Sequence, residues 1–138
     1  MIITVAVTVV LVVMCVVLHT GVFHLLDKHV THRSWVVWTK VIIGLLGTIL
    51  AHVLEVGLFA VSYCILARYE VFGRIDGNIL HVLQDYFFYS IATYTTLGYG
   101  DLVPEGPLRV MSGVEALLGL VLVAWTAAYL FIVVNENR

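Results

Sequence analysis

Charge is what this 138-residue chain has least of: only 12% of its residues are Asp, Glu, Lys or Arg, about half the share of an ordinary globular domain (roughly 25%). So few charged side chains cannot cover a water-facing surface. With 62% apolar residues and a mean hydropathy of +1.05, lipid must be part of the solvent. Seven basic residues face nine acidic ones, without the basic stripe that a nucleic-acid binder needs, so no nucleic-acid partner is expected. Cysteine is limited to Cys15 and Cys64, both inside apolar runs, which excludes a disulfide framework. No apolar run carries arginine at every third position, so a voltage sensor of the familiar type is missing. The length suits one compact unit and is short for a membrane core plus a sizeable second domain. A soluble enzyme, a DNA binder and a secreted disulfide module are thereby set aside in favour of an integral membrane protein.

Three long apolar runs are present. Residues 1–26 are uncharged and broken only by His19 and His24; residues 41–66 contain His52 and Glu55; residues 110–134 contain Glu115. As helices each is about 37–39 Å long, enough to cross a hydrocarbon core of roughly 30 Å with some tilt. The first run has no positive n-region, is too long for the apolar stretch of a signal peptide, and precedes no small-residue cleavage site, so it reads as a retained helix. Residues 79–95 form a shorter apolar and aromatic segment, of the kind expected to be re-entrant. Bare backbone at membrane depth is tolerated only where it is buried in protein or lines a water-filled path. The glycine-rich stretch that follows this segment therefore calls for a role for its backbone. Lys28, Arg33, Lys40 and Arg138 fall on one side of the membrane, against Arg68, Arg74 and Arg109 on the other. This slight excess points to a cytoplasmic first loop and C-terminus, with the N-terminus outside. Trp35 and Trp38 would anchor the inner interface, and the outer side, with Glu70, Asp76, Asp85, Asp101 and Glu105, is net acidic and would concentrate cations.

The stretch Thr93-Tyr94-Thr95-Thr96-Leu97-Gly98-Tyr99-Gly100-Asp101 resembles the selectivity filter of potassium channels, T-x-x-T-x-G-[YF]-G followed by Asp. The reading of it as a mere turn between helices leaves the paired threonines, the short helix before it and the span after it without explanation. The resemblance implies an all-α membrane protein of three transmembrane helices plus a re-entrant pore helix and filter loop, assembled as a homotetramer among membrane lipids. It is similar to small bacterial ion channels that add one helix before a two-helix pore, and implies a bacterial plasma membrane, no enzymatic activity and passive conduction of K+ ions. On this reading residues 1–34 are the extra helix and first loop, and residues 35–138 the pore domain: outer helix 35–67, pore helix 79–95, filter 96–101 and inner helix 107–134. The carbonyls of Thr96, Leu97, Gly98, Tyr99 and Gly100 would hold K+, with Tyr89, Thr93, Thr95, Asp101 and Glu115 supporting the filter. Ala92 and Phe88 stand where some relatives have the Glu and Trp that clamp the Asp after the filter, so Asp101 lacks that clamp. Tyr89 occupies the place of an aromatic donor that bonds a neighbouring chain's filter tyrosine. A non-conducting accessory or sensor subunit with a relic filter is one rival reading, and an intramembrane His/Glu metal protein is the other.

The four residues after Val134 would leave gating to the filter, to the inner helix or to a separate regulatory protein. Gly119 is the candidate hinge, or else, with Gly113, a site of close helix packing. Ala116, Leu120, Val123 and Ala127 form one helical stripe, the candidate cavity lining. His52 and Glu55, three apart on one helix face, look like half of a di-metal site. Only Glu115 is available as a further carboxylate at matching depth, so they are read as a buried polar pair. His29 and His32 are expected in a solvated loop, His19 and His24 snorkelling or facing partner helices, and His81 at the start of the pore helix; a histidine-based pH response is an alternative. Glu55 and Glu115 would lie roughly 17 and 11 Å deep from the outer helix ends, with Glu115 bracing the filter from behind, towards Thr93 or Tyr94.

Overall fold

The computed structural model describes residues 1–31, 33–78, 80 and 82–135, with the backbone alone at Thr31. His32, Ile79, His81 and Arg138, to which the sequence assigned roles, lie outside the described residues. Three long helices carry the fold: α1 (Ile2–Leu26), α2 (Val37–Leu66) and α4 (Leu108–Asn135). All three are long and apolar enough to cross a membrane. A short helix, α3 (Leu83–Tyr94), lies between the second and third, and a π-helical turn, Asp27–Thr31, continues the first. In water the run of Ile, Val and Thr in α1 would be a mediocre helix former. In lipid the backbone must satisfy its own polar groups, and a helix is the one way for a single segment to do so.

The side of α1 that meets protein is Thr4, Thr8, Leu11, Cys15, His19, Phe23 and Leu26. Three- and four-residue spacing puts these on one stripe, and it is the more polar face: lipid takes the valines and isoleucines. The matching stripe of α2 includes Thr48, Ala51, Glu55, Phe59, Tyr63 and Leu66. Helix α1 packs against both α2 and α4, and α3 is wedged between α2 and α4. The core brings Leu11 and Cys15 together with Phe59, Tyr63, Tyr86, Tyr89, Met111 and Leu122. Towards one end, the Phe23 and Tyr129 rings stack at 4.4 Å and tie α1 to α4.

The described pore-helix segment is shorter than the expected 79–95. It begins after Val82, which is extended, and the Asp85 carboxylate accepts the Leu80 N–H at 2.8 Å. Earlier in the chain, β1 (Ile75–Gly77) pairs antiparallel with β2 (Leu102–Pro104) in the register Ile75 to Pro104 and Gly77 to Leu102. This ribbon fastens the chain leaving the filter segment to the loop that precedes α3. An exposed ion pair, Arg74 Nε to Glu105 Oε2 at 2.8 Å, closes its end.

Candidate functional site

Helix α3 ends at Tyr94, and its last turn is closed by the Thr95 N–H on the Ile91 carbonyl (3.0 Å) and the Thr96 N–H on Thr93 (2.9 Å). Thr95 turns its hydroxyl back onto the Ile91 carbonyl at 2.7 Å. The chain then leaves with an alternating hand. Thr96 has φ 57°, Gly98 φ 51° and Gly100 φ 81°, while Leu97 and Tyr99 between them stay on the ordinary side. Glycine takes such angles at no steric cost, whereas Thr96 does so against a preference. A strand turns successive carbonyls to opposite faces; alternating the backbone hand instead lets them share one. The Gly98 N–H reaches back to the Ala92 carbonyl at 3.1 Å and holds the segment against the end of α3.

Residues 96–101 are exposed in the single chain, with Leu97 and Tyr99 57% and 64% accessible. The aromatic that meets Tyr99 within the chain is Phe88, stacked at 5.5 Å. Tyr89 instead is buried, with its hydroxyl 2.6 Å from Ser112 Oγ on α4. Asp101 is exposed, and its carbonyl oxygen lies 2.2 Å from the position a Cβ on Gly77 would take.

Behind this segment lie the two buried acids, each fully enclosed. Glu115 accepts from Tyr63 Oη at 2.7 Å and pairs with the Ser90 hydroxyl, so it holds α3 at Ser90, one turn before the expected Thr93 or Tyr94. Tyr94 goes to the other acid: its hydroxyl donates to Glu55 Oε2 at 2.5 Å. Ser90 and Tyr94 are four apart and share one face of α3, and the two acids divide that face between them. Glu55 also meets His52 Nδ1 at 3.1 Å and, on α1, His19 Nδ1 at 2.9 Å. Thr126 Oγ1 of α4 closes the cluster, 3.1 Å from His52 Nε2 and 3.2 Å from His19 Nε2. All four helices thus contribute to one polar cluster at the end of α3. The expected pair of His52 and Glu55 is there, and its partners His19, Tyr94 and Thr126 were not foreseen. His24 and His29 are exposed.

On α4, Leu120, Val123 and Ala127 are exposed and Ala116 is half-buried, a stripe that the rest of the chain leaves uncovered. Gly119 is buried against α3: a Cβ there would stand 2.1 Å from the Tyr94 carbonyl oxygen. Of the two roles that the sequence offers Gly119, this geometry explains close packing. Ser90, Tyr63 and Ser112 also escaped sequence reasoning, although Ser90 is a small polar residue on a helix otherwise rich in aromatics.

Replacing Glu115 by Leu should lower stability by about 1–3 kcal/mol, because the Tyr63 and Ser90 hydroxyls lose their shared acceptor. Ser112 (3.1 Å from Tyr63) and the Val56 carbonyl (2.9 Å from Ser90) remain as second acceptors. Glu115→Gln keeps an acceptor oxygen and should be the milder change. Thermal unfolding of the detergent-solubilised protein measures both; equal effects would deny Glu115 this role.

The family profile described as ion channel matches residues 52–136, which covers α3, the filter segment and α4. The inward rectifier potassium channel Kirbac3.1 of Paramagnetospirillum magnetotacticum is 34% identical over 99 residues, 71% of this chain and 30% of the relative. The potassium voltage-gated channel protein Shal of Drosophila melanogaster is 38% identical over 52 residues, 37% of this chain and 9% of its own. Two pore potassium channel a of Oryza sativa subsp. japonica is 33% identical over 73 residues, 50% of this chain and 21% of its own. The chain thus spans less than a third of the length of these relatives. With three membrane-length helices around a short helix and its filter-like segment, the chain belongs to the potassium-channel pore family of ion channels.

Proposed function

We propose that four copies of this chain form a K+-selective channel that conducts passively through residues 96–100. The observation that carries this reading is the alternating backbone hand at Thr96, Gly98 and Gly100. It suits a row of carbonyls on one side, able to replace the water shell of a dehydrated cation. One chain supplies one such row and leaves it exposed. A symmetric ring therefore needs further copies, and the uncovered stripe of Ala116, Leu120, Val123 and Ala127 would line the cavity below it. The negative end of the α3 dipole, at Tyr94, favours a cation there. Residues 35–138 would be the pore domain, carrying Thr93, Thr95 and Asp101 as filter support, and residues 1–34 an added helix. The first loop and C-terminus would face the cytoplasm of a bacterial cell.

Flux into liposomes tests the proposal. K+ and Rb+ should pass, Na+ poorly, and Ba2+, of K+ size with twice the charge, should block. Equal Na+ and K+ flux would overturn it. The detergent-solubilised protein should be fourfold symmetric, and a functional monomer or dimer would refute the assembly. With no regularly spaced arginines in a span, open probability should vary weakly with voltage, and a steep activation curve would contradict this.

A further inference from the structure

We infer that His19, His52 and Glu55, with the Tyr94 hydroxyl, form a binding site for one divalent transition-metal ion of the zinc class, joining the first helix to the base of the filter segment. The inference stands on the cluster itself and does not depend on conduction.

The donor set is the first argument. Two imidazoles and a carboxylate suit zinc, cobalt and their neighbours in that series, and poorly suit calcium or magnesium, which take oxygen. The ligand atoms of His19, His52 and Glu55 all lie within 4.8 Å of one another. Four-coordinate zinc takes its donors at about 2.0–2.2 Å, which sets neighbouring donors about 3.3–3.6 Å apart. The separations here are 2.9 Å (His19 to Glu55), 3.1 Å (His52 to Glu55) and 2.8 Å (His52 Nδ1 to Tyr94 Oη). To admit the ion, the contacts among Glu55, the histidines and Tyr94 (2.5 Å from Tyr94 Oη to Glu55) would open by about 0.2–1 Å, with the ligand atoms of His19, His52 and Glu55 kept within their 4.8 Å span.

The second argument is Thr126. Both histidines turn Nδ1 towards Glu55 and Nε2 towards the same Thr126 oxygen, at 3.2 and 3.1 Å. A hydroxyl oxygen has two lone pairs and accepts from two N–H groups at once. With both Nε2 atoms protonated, both Nδ1 lone pairs point at the carboxylate, which is how outer partners orient metal-binding histidines.

Hydrogen counting supplies the third. With Glu55 ionised and both rings neutral, the cluster has four hydrogens, one each from Tyr94, Thr126, His19 and His52. They must serve six contacts. A cation between the Nδ1 atoms and Glu55 turns three of these contacts into coordination and leaves one hydrogen for each of the other three: Tyr94 to Glu55, and the two Nε2–H groups to Thr126. Access exists as well: His52 is 18% exposed and opens onto a cavity of about 260 Å³ lined by Ile49, Val53, Ile91 and Val123.

The test uses the full chain in detergent, stripped with a chelator and titrated with Zn2+ or Co2+. The expected result is uptake of about one ion per chain, visible ligand-field bands of four-coordinate Co2+, and a raised melting temperature, because the ion binds the folded state. His19→Ala and His52→Ala should each abolish the bands at the same Co2+ concentration. Thr126→Val, isosteric and touching no metal, should weaken binding about 10–100-fold. If the alanine variants fail to fold, Thr126→Val decides, and unchanged affinity overturns the proposal. It is equally overturned if the stripped protein takes up no metal, or if the histidine variants bind as the parent does, which is what the exposed His24 and His29 would give. A cluster completed by an extra proton instead of a metal would show itself as no uptake.

Discussion

Replacing Gly98 by Ala should reduce K+ flux by about a thousandfold or more while leaving the protein folded and of unchanged size in detergent. Within the chain nothing lies within 4 Å of the position a Cβ would take, so the effect is not a clash. It comes from the backbone angle, φ 51°, at which an L side chain costs about 1–2 kcal/mol. A ring of four proposed chains incurs this cost four times, about 4–8 kcal/mol, or three to six powers of ten in the population of the aligned filter. Thr96, at φ 57°, already carries one such cost, held by its N–H bond to Thr93. Gly98 has only the long reach to Ala92, so Ala there is expected to relax to the ordinary hand and turn a carbonyl off the axis. The measurement is K+ flux into liposomes, with size-exclusion elution as the control. Unchanged flux in a well-assembled variant would remove Gly98 from the ion pathway.

The three membrane-length helices were legible because hydropathy over some twenty residues is a local property that lipid enforces. The polar contacts behind the filter segment were legible only where they too are local. His52 and Glu55 lie three apart on α2, so spacing alone pairs them. His19 lies 36 residues from Glu55, and nothing in either segment says which face of α1 meets α2. A signal was nonetheless present: Thr4, Thr8, Cys15 and His19 fall on one stripe, and in a span the polar residues mark the side turned from lipid. Glu115 shows the complementary failure. Counting residues gave it the depth of α3, but which residue of α3 it meets depends on how that helix is rotated in its wedge. The rotation gives Ser90 to Glu115 and Tyr94 to Glu55. The start of α3 was missed because apolar length does not encode the local contact in which the Asp85 carboxylate takes the Leu80 N–H, five residues before it.

Gly119→Ala should be the most disruptive single-methyl change in the pore helices, lowering the melting temperature and the K+ flux together. The added Cβ would stand 2.1 Å from the Tyr94 carbonyl oxygen, 2.9 Å from its carbon and 3.0 Å from Cδ1 of the ring. Two of these are backbone atoms, so no side-chain rotation relieves the contact. Either α4 moves away from α3, or the end of α3 moves and takes the start of the filter segment with it. Overpacking of this kind costs about 1–3 kcal/mol when side chains can yield, and more is expected against backbone. The gain of about 1 kcal/mol from replacing a helical glycine by alanine does not offset it. Gly21→Ala is the control: it lies inside α1 with nothing within 4 Å of its Cβ position, and should be neutral or slightly stabilising. The pair of variants also separates packing from hinging. A hinge without the close contact would make Gly119→Ala stiffer and at least as stable as the parent, with slower opening, whereas the observed contact requires stability to fall. If Gly119→Ala melts as Gly21→Ala does, the close approach of α4 to the Tyr94 carbonyl does not hold the pore helix in place.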